Sequence, residues 1–308
     1  MRGAGLALSL QRANIDLNGL MLLSCVLNWD TMPDEPHLNP AIDEPYMVAL
    51  PTYAATAWYH HKLPNAPKEL KPFLTEVETF ATTDYALALH EGMKLSADRR
   101  RAIAEKLHAY TGLSVAYLLK TDLRIDYGAF QQEILGTEGR TLGTLDTRFA
   151  GATLDPIAKV AAYDPVSAAI SAPYVAALNS YARESLRYSG DLPYKSGVSV
   201  YESWDYKHQG PGASRAFIAL PNVLTDLAAA MKTNPTMKVQ VLGGYYDKST
   251  PYFEGVFEMR HLPIPAALEG NIEYRHYESG HMVYLMVPVL KTLHDDVAAF
   301  IRNSSGVK

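Results

Sequence analysis

Three apolar segments of the chain have the length and composition of β-strands. Residues 20–27 (LMLLSCVL) form a continuous apolar run without alternation, which predicts a strand buried on both faces of a mostly parallel sheet. Residues 237–242 (MKVQVL) and 272–277 (IEYRHY) are the other two predicted strands, and the second alternates apolar and polar positions. Helical patterns at residues 1–13, 251–261 and 283–302 surround these strands. Both ends of the chain are therefore predicted to be α/β.

The middle of the chain has a different pattern, with long helical periodicities and few strand-like runs. Helices are predicted over residues 70–89, 96–107, 118–135 and 167–186, with Ser96 as the N-cap of the second helix and Gly112 beyond its end. Residues 70–190 should contribute no central strand to the main sheet. We therefore divide the chain into an α/β core at residues 1–30, a helical insertion at residues 31–225, and a returning core at residues 226–308.

Composition and charge narrow the classes of function. The 308 residues are 48% hydrophobic and carry 28 basic and 33 acidic side chains, a net charge of −5, which gives no basic footprint for nucleic acid. No apolar run reaches the length of a membrane span. A single cysteine, Cys25, excludes an internal disulfide framework and multi-cysteine metal sites, and mid-strand it should be an inert buried thiol. The N-terminus does not resemble a signal peptide, because Arg2 comes at once and Gln11 and Arg12 soon follow.

Asp247 and His281 are the strongest candidates for chemistry. Each follows the carboxyl end of a predicted strand, where open α/β sheets place their functional side chains. An Asp after one strand and a His after the next is the second half of the Ser–Asp–His order of α/β-hydrolases, in which the carboxylate orients the imidazole. An Asp in such a turn is more commonly a cap or turn residue. The Gly280–His281 pair at the next strand end favours the catalytic interpretation, and we expect the two side chains to lie within hydrogen-bond reach.

Several further motifs, together with these two residues, resemble the serine carboxypeptidases, peptidase family S10, in their bacterial branch. They cover essentially the whole chain: Arg2-Gly3-Ala4-Gly5-Leu6 with Leu10-Gln11, Ile15-Asp16-Leu17-Asn18-Gly19, Leu50-Pro51-Thr52-Tyr53-Ala54-Ala55-Thr56-Ala57-Trp58-Tyr59-His60, Gly139-Arg140, Leu145-Asp146-Thr147-Arg148-Phe149, Gly243-Gly244-Tyr245-Tyr246-Asp247 with Pro251, and Gly280-His281-Met282. The resemblance implies an α/β-hydrolase core under a helical cap, hydrolysis of the C-terminal residue of a peptide, no cofactor, and Asp247 and His281 as triad acid and base. It also implies a secreted or periplasmic full-length parent, although the sequence itself leaves the compartment and the oligomeric state open.

The nucleophile of that family has no counterpart in this sequence. In the family pattern it lies in a G-E-S-Y-G elbow just before the segment that resembles residues 2–5, and no G-x-S-x-G occurs here. Ser9 lies in the first predicted helix, Ser24 in the predicted buried strand, and Ser249 just after the acid. We therefore expect the C-terminal portion of an α/β-hydrolase, with the N-terminal half of its sheet missing and no peptidase activity of its own. The alternatives are a truncated or binding protein without catalysis, or another α/β-hydrolase such as an esterase.

The other candidates have simpler explanations. His60 and His61 are adjacent, so they diverge on any regular element and make a poor metal site. Tyr53, Trp58 and Tyr59 suit core or cap packing, with cleft lining as the alternative. The last group is a charged cluster in the insertion, for which surface or structural ion pairing is the default and substrate contact the alternative: Arg140, Asp146 and Arg148.

Overall fold

The structure is a computed structural model that describes residues 1–32, 36–188, 190, 200, 203–216 and 221–306. It is a mixed α/β protein in which a small parallel sheet is flanked by helices. Within the described residues, no helix combines the length and the apolar character that a bilayer span requires.

The main sheet contains three parallel strands in the order β1–β4–β5. These are β1 (Gly19–Leu23), β4 (Lys238–Gly244) and β5 (Ile272–Tyr277), so the strands predicted at 237–242 and 272–277 are confirmed. In the register, β4 pairs with both neighbours, which makes it the central strand. Its buried run over residues 239–244 fits that position.

Strand β1 is shorter and more exposed than the sequence predicts. It ends at Leu23 instead of continuing to residue 27, and only Leu22 is buried, whereas Met21 is 42% and Leu23 38% exposed. In the part of the chain that the structure describes, β1 pairs with β4 alone. The prediction of burial on both faces is therefore wrong, because Met21 and Leu23 lie on the same face of the strand and stay partly exposed there.

Helices cover both faces of the sheet. The first face packs against α1 (Arg2–Arg12), α9 (Leu224–Thr233) and α10 (Tyr252–Arg260), in a core that includes Val239 and Val241. The opposite face, with Leu242 and Tyr277, packs against α11 (Val287–Ser305). The helices predicted at residues 1–13 and 251–261 are confirmed, whereas a 3₁₀ turn occupies residues 283–285 before α11 begins.

The middle of the chain is largely helical, as predicted. Its first helices are α2 (Glu44–Tyr59), α3 (Leu70–Phe80), α4 (Ala86–Glu91) and α5 (Ala97–Thr111), and a π-helical turn at 81–85 joins α3 to α4. Ser96 caps α5 by accepting a hydrogen bond from the backbone N–H of Arg99, and Gly112 ends it with φ of 70°.

The helix predicted over residues 118–135 is wrong as a single element. The structure has α6 (Val115–Lys120) and α7 (Tyr127–Glu133) instead. Between them, Asp122 and Leu123 adopt positive φ of 53° and 66°, a conformation that no right-handed helix continues through. Asp126 then caps α7 by accepting from the N–H of Ala129.

The remaining elements of this region form no part of the main sheet. Strands β2 (Arg140–Leu142) and β3 (Ala150–Ala152) make a separate antiparallel pair, and α8 (Pro165–Ser180) continues into a π-helical turn at 181–185. Among the described residues of 70–190, therefore, none adds a strand to the parallel sheet, as predicted. The division into core and cap at residues 31 and 225 stays a prediction.

Candidate functional site

Two loops that follow neighbouring strands bring the candidate residues together. Strands β4 and β5 are parallel, with Gly244 paired to Tyr277, so the chain leaves both at the same edge of the sheet. Backbone pairing continues past the strands, because the Tyr246 N–H donates to the Ser279 carbonyl over 3.0 Å. The loops that carry Asp247 and His281 therefore run side by side before either side chain is considered.

The structure confirms the expected contact between Asp247 and His281. The Nδ1 atom of His281 lies 2.8 Å from Oδ2 of Asp247, a distance typical of a charge-assisted hydrogen bond. Asp247 is completely buried, whereas the His281 side chain is 32% exposed. With Nδ1 engaged by the carboxylate, Nε2 is the ring nitrogen that remains to exchange a proton with another group.

Thr250 completes the environment of the buried carboxylate. Its hydroxyl donates to Oδ2 of Asp247 over 2.7 Å, and its backbone N–H donates to Oδ1 over 3.0 Å. The hydroxyl oxygen is also 3.2 Å from Nδ1 of His281. Asp247 is therefore both a turn residue, which was the simpler interpretation of the sequence, and the partner of an imidazole. An Asp with a Thr three residues later is the signal that could have identified Thr250.

The electrostatics of the pair favour the protonated imidazole. Burial pushes the pKa of His281 down, but the hydrogen bond that Nδ1 donates to Asp247 and the negative charge of Asp247 push this pKa up, and the net effect is a pKa above its ordinary value. A carboxylate that stabilises imidazolium is what a general base needs when it accepts a proton. The Asp247–His281 pair can therefore stabilise a proton that His281 accepts at Nε2.

Ser24 is a neighbour of the site, and its predicted position inside the buried strand is wrong. It lies just after β1 rather than inside a buried strand, has φ of 46°, and donates its hydroxyl to the backbone carbonyl of His281 over 2.7 Å. All three strand ends of the sheet thus meet at His281. The hydroxyl of Ser24 bonds to the backbone of His281, so Ser24 supports the loop that carries the imidazole.

The remaining candidates have structural roles. Nε2 of His60 is 2.7 Å from the Thr147 carbonyl, and burial lowers the pKa of His60. Among the described residues, no three His, Cys, Asp or Glu side chains cluster so as to hold a metal ion. Cys25 follows β1 instead of lying within it, and burial raises the pKa of its thiol to about 12, as expected for an unreactive cysteine.

The aromatic and charged groups of the middle region separate in space. Tyr53 stacks on Phe130 in the core, with ring centroids 4.0 Å apart, while Tyr59 is 42% exposed and touches the ring of Tyr246, next to Asp247. The predicted charged cluster is wrong as one unit. Arg140 pairs with Glu138 at 3.5 Å, whereas Asp146 and Arg148 pair with each other.

A cavity of about 380 Å³ lies at a different place, beside α10. Its lining includes Thr31, Phe257 and the buried Glu258, and neither Asp247 nor His281 lines it. Glu258 accepts hydrogen bonds from the backbone N–H groups of Leu27 and Asn28, and burial raises its pKa to about 7. The Glu258 carboxylate therefore anchors the backbone of the loop after β1, which is a structural role.

Comparisons with known proteins yield no relative. No protein-family model, no curated protein and no solved structure matches the chain.

Proposed function

We propose that this chain carries the acid and the base of a hydrolytic site and that, by its motifs, it is the C-terminal portion of a serine-type carboxypeptidase with an α/β-hydrolase core. The observation that carries the proposal is the 2.8 Å bond between Asp247 and His281 at the carboxyl edge of parallel strands. Its substrate would be the C-terminal segment of a peptide, and no cofactor enters the mechanism.

In this proposal the two residues have distinct tasks. Asp247 fixes the ring of His281 and stabilises its protonated form, while Nε2 of His281 accepts the proton of a nucleophilic hydroxyl and later returns it to the leaving amine. Complete burial of Asp247 supports its task, because a carboxylate without solvent contact has only its protein donors to compensate its charge. Partial exposure of His281 supports the other task, since a reacting group must reach Nε2.

A hydroxyl for His281 to activate is the missing part. Among the residues that the structure describes, no serine, threonine or cysteine forms a hydrogen bond with Nε2 of His281; its ring bonds go through Nδ1. Without a nucleophile the acid and base have no step to catalyse. We therefore expect no peptide hydrolysis by this chain alone. The same observation favours one alternative, a protein of this fold that binds without catalysis.

The proposal is tested by labelling and turnover. The purified chain is treated with a fluorophosphonate probe and assayed on a blocked dipeptide at mildly acidic pH, with His281→Ala as the matched variant. We expect neither labelling nor turnover. A longer chain that includes any in-frame upstream coding sequence with a G-E-S-Y-G elbow should label at the elbow serine and lose that labelling with His281→Ala.

Three outcomes would contradict this interpretation. A serine of the chain itself that labels, or turnover that His281→Ala abolishes, would show that a nucleophile is already present. An elbow-bearing longer chain that folds but neither labels nor hydrolyses would favour the non-catalytic alternative. Esterase activity without peptidase activity would replace the carboxypeptidase assignment with another hydrolase chemistry.

A further inference from the structure

A four-residue segment of the middle region, Leu145–Arg148, contacts both loops of the candidate site. The backbone N–H of Thr147 donates to the Tyr246 carbonyl over 2.9 Å, next to Asp247. The Leu145 carbonyl accepts the backbone N–H of His281 over 2.6 Å. This segment, which we call the clamp, is therefore hydrogen-bonded to two loops at the same time: the loop that carries Asp247, which we call the acid loop, and the loop that carries His281, which we call the base loop.

Inside the clamp, Asp146 and Arg148 form a nearly buried, two-pronged ion pair. Nε of Arg148 lies 2.9 Å from Oδ1 of Asp146 and Nη2 lies 2.6 Å from Oδ2, and the two side chains are only 10% and 11% exposed. Burial lowers the pKa of the Arg148 guanidinium, but the hydrogen bond to Asp146 and the charge of Asp146 raise this pKa by more than burial lowers it, so the guanidinium stays charged. A planar, bidentate ion pair of this kind fixes the orientation of the guanidinium as well as its distance from the carboxylate.

The third nitrogen of the guanidinium reaches the base loop. Nη1 of Arg148 donates to the Glu278 carbonyl over 2.7 Å. The loop from Glu278 to His281 is thus held at its first residue by Arg148 and at its last by the Leu145 carbonyl. Asp146 holds the guanidinium in the orientation that this contact needs.

The base loop also lies directly against the clamp. A Cβ atom added at Gly280 would lie 2.4 Å from Cβ of Asp146 and 2.4 Å from the Leu145 carbonyl oxygen, closer than real Cβ atoms approach. Only a glycine fits between the clamp and His281. Any shift of the Asp146–Arg148 pair must therefore move the loop that carries the imidazole.

From these contacts we infer that the Asp146–Arg148 pair positions His281. The pair places the imidazole against Asp247 without touching the imidazole itself. Its meaning for catalysis rests on the proposed function, but the geometry can be tested without any activity. The pair lies outside the Asp247–His281 contact and acts through the backbone at Glu278 and Gly280.

The test is an NMR titration of the His281 ring in the chain itself. Three variants are compared: Arg148→Met, Arg148→Lys, and the double change Asp146→Asn with Arg148→Met, which keeps the net charge. The control is Arg140→Met, since Arg140 pairs with Glu138 away from the site.

Without the clamp, the imidazole of His281 would move away from Asp247. It would then lose the contribution of Asp247 that raises its pKa, while burial would continue to lower that pKa. The pKa of His281 should therefore fall in Arg148→Met and in the double variant. Arg148→Lys keeps the charge without the bidentate geometry, so its shift should be intermediate.

The direction of the shift separates positioning from charge alone. Loss of a nearby cation would by itself raise the pKa of His281, the opposite of the expected change. His276, whose pKa burial lowers to about 4, is the internal reference and should not move.

If the pair were purely structural, its removal would lower the free energy of unfolding and leave the His281 titration unchanged. That result, or an upward shift of the pKa of His281, overturns the inference. If Arg148→Met does not fold, Arg148→Lys carries the same test. Failure of the hydrolase proposal would leave these titrations unaffected.

Discussion

Of the His–Asp pairs among the described residues, two have the same separation and very different support. Nδ1 of His281 lies 2.8 Å from Asp247, and Nε2 of His208 lies 2.8 Å from Asp226. Asp247 follows a central strand and is completely buried, whereas Asp226 is in the first turn of α9 and its side chain is 9% exposed. Distance alone does not distinguish the two.

The difference lies in what holds each histidine. The loop of His281 is fixed by bonds from other parts of the chain, including the clamp and Ser24. The described contacts of the segment that carries His208 are ring contacts, Trp29 against Tyr206 and Arg2 over Trp204, and hydrogen bonds such as that from the Gln209 side chain to the Ala213 carbonyl. The first pair therefore has the fixed geometry that the proposed function requires, whereas the second pair attaches a surface segment to α9.

The largest expected difference between the pairs comes from removing each carboxylate. Asp247→Asn should reduce the free energy of unfolding by about 3 to 5 kcal/mol, because it places an amide among buried groups arranged to donate. Asp226→Asn loses one bond to a partly exposed histidine and should cost about 1 to 2 kcal/mol. Urea unfolding of the two variants measures both values. Equal losses would mean that burial and support do not separate the two pairs.

A second comparison uses the glycines beside each histidine. Gly280→Ala forces a methyl group into backbone of the clamp and should cost about 2 to 3 kcal/mol. Gly210→Ala, near His208, meets the Thr225 hydroxyl at 3.0 Å, a side chain that can rotate, and Nε2 of His208 at an ordinary contact distance of 3.9 Å. It should change stability by less than about 1 kcal/mol. Thermal unfolding monitored by circular dichroism checks the order of the two variants, and a reversed order would contradict the close approach at Gly280.

The parts of the fold that could be predicted from sequence are those that local pattern determines. Ser96 and Gly112 mark the ends of α5 because a cap and a left-handed residue act within one turn. Asp247 and His281 could be paired because parallel strands end at a common edge. The local pattern gave a wrong prediction where tertiary contacts determine the backbone conformation. At Asp122 and Leu123, positive φ values interrupt the helix that was predicted over residues 118–135.

The support of the site was out of reach for the same reason. Arg148 is 130 positions from Glu278 in the sequence, and Ser24 is 257 positions from His281. No spacing rule connects residues so far apart. The apolar run after Gly19 predicted a strand but could not show that Met21 and Leu23 would be exposed, because their exposure depends on which distant elements pack against that face of the sheet.

The smallest effect separates the hydroxyls that support each loop. Ser24→Ala removes the bond to the His281 carbonyl, and we expect a loss of about 1 kcal/mol, since the site is partly buried and the carbonyl then lacks this donor. Ser203→Ala is the matched control in the segment that carries His208. Its hydroxyl donates to the Val200 carbonyl in an exposed position, so its removal should change stability by less than about 0.5 kcal/mol. Urea unfolding at a fixed pH resolves the two variants. A Ser24→Ala variant as stable as Ser203→Ala would show that the strand end after β1 does not help to hold His281, and that the clamp alone distinguishes the two pairs.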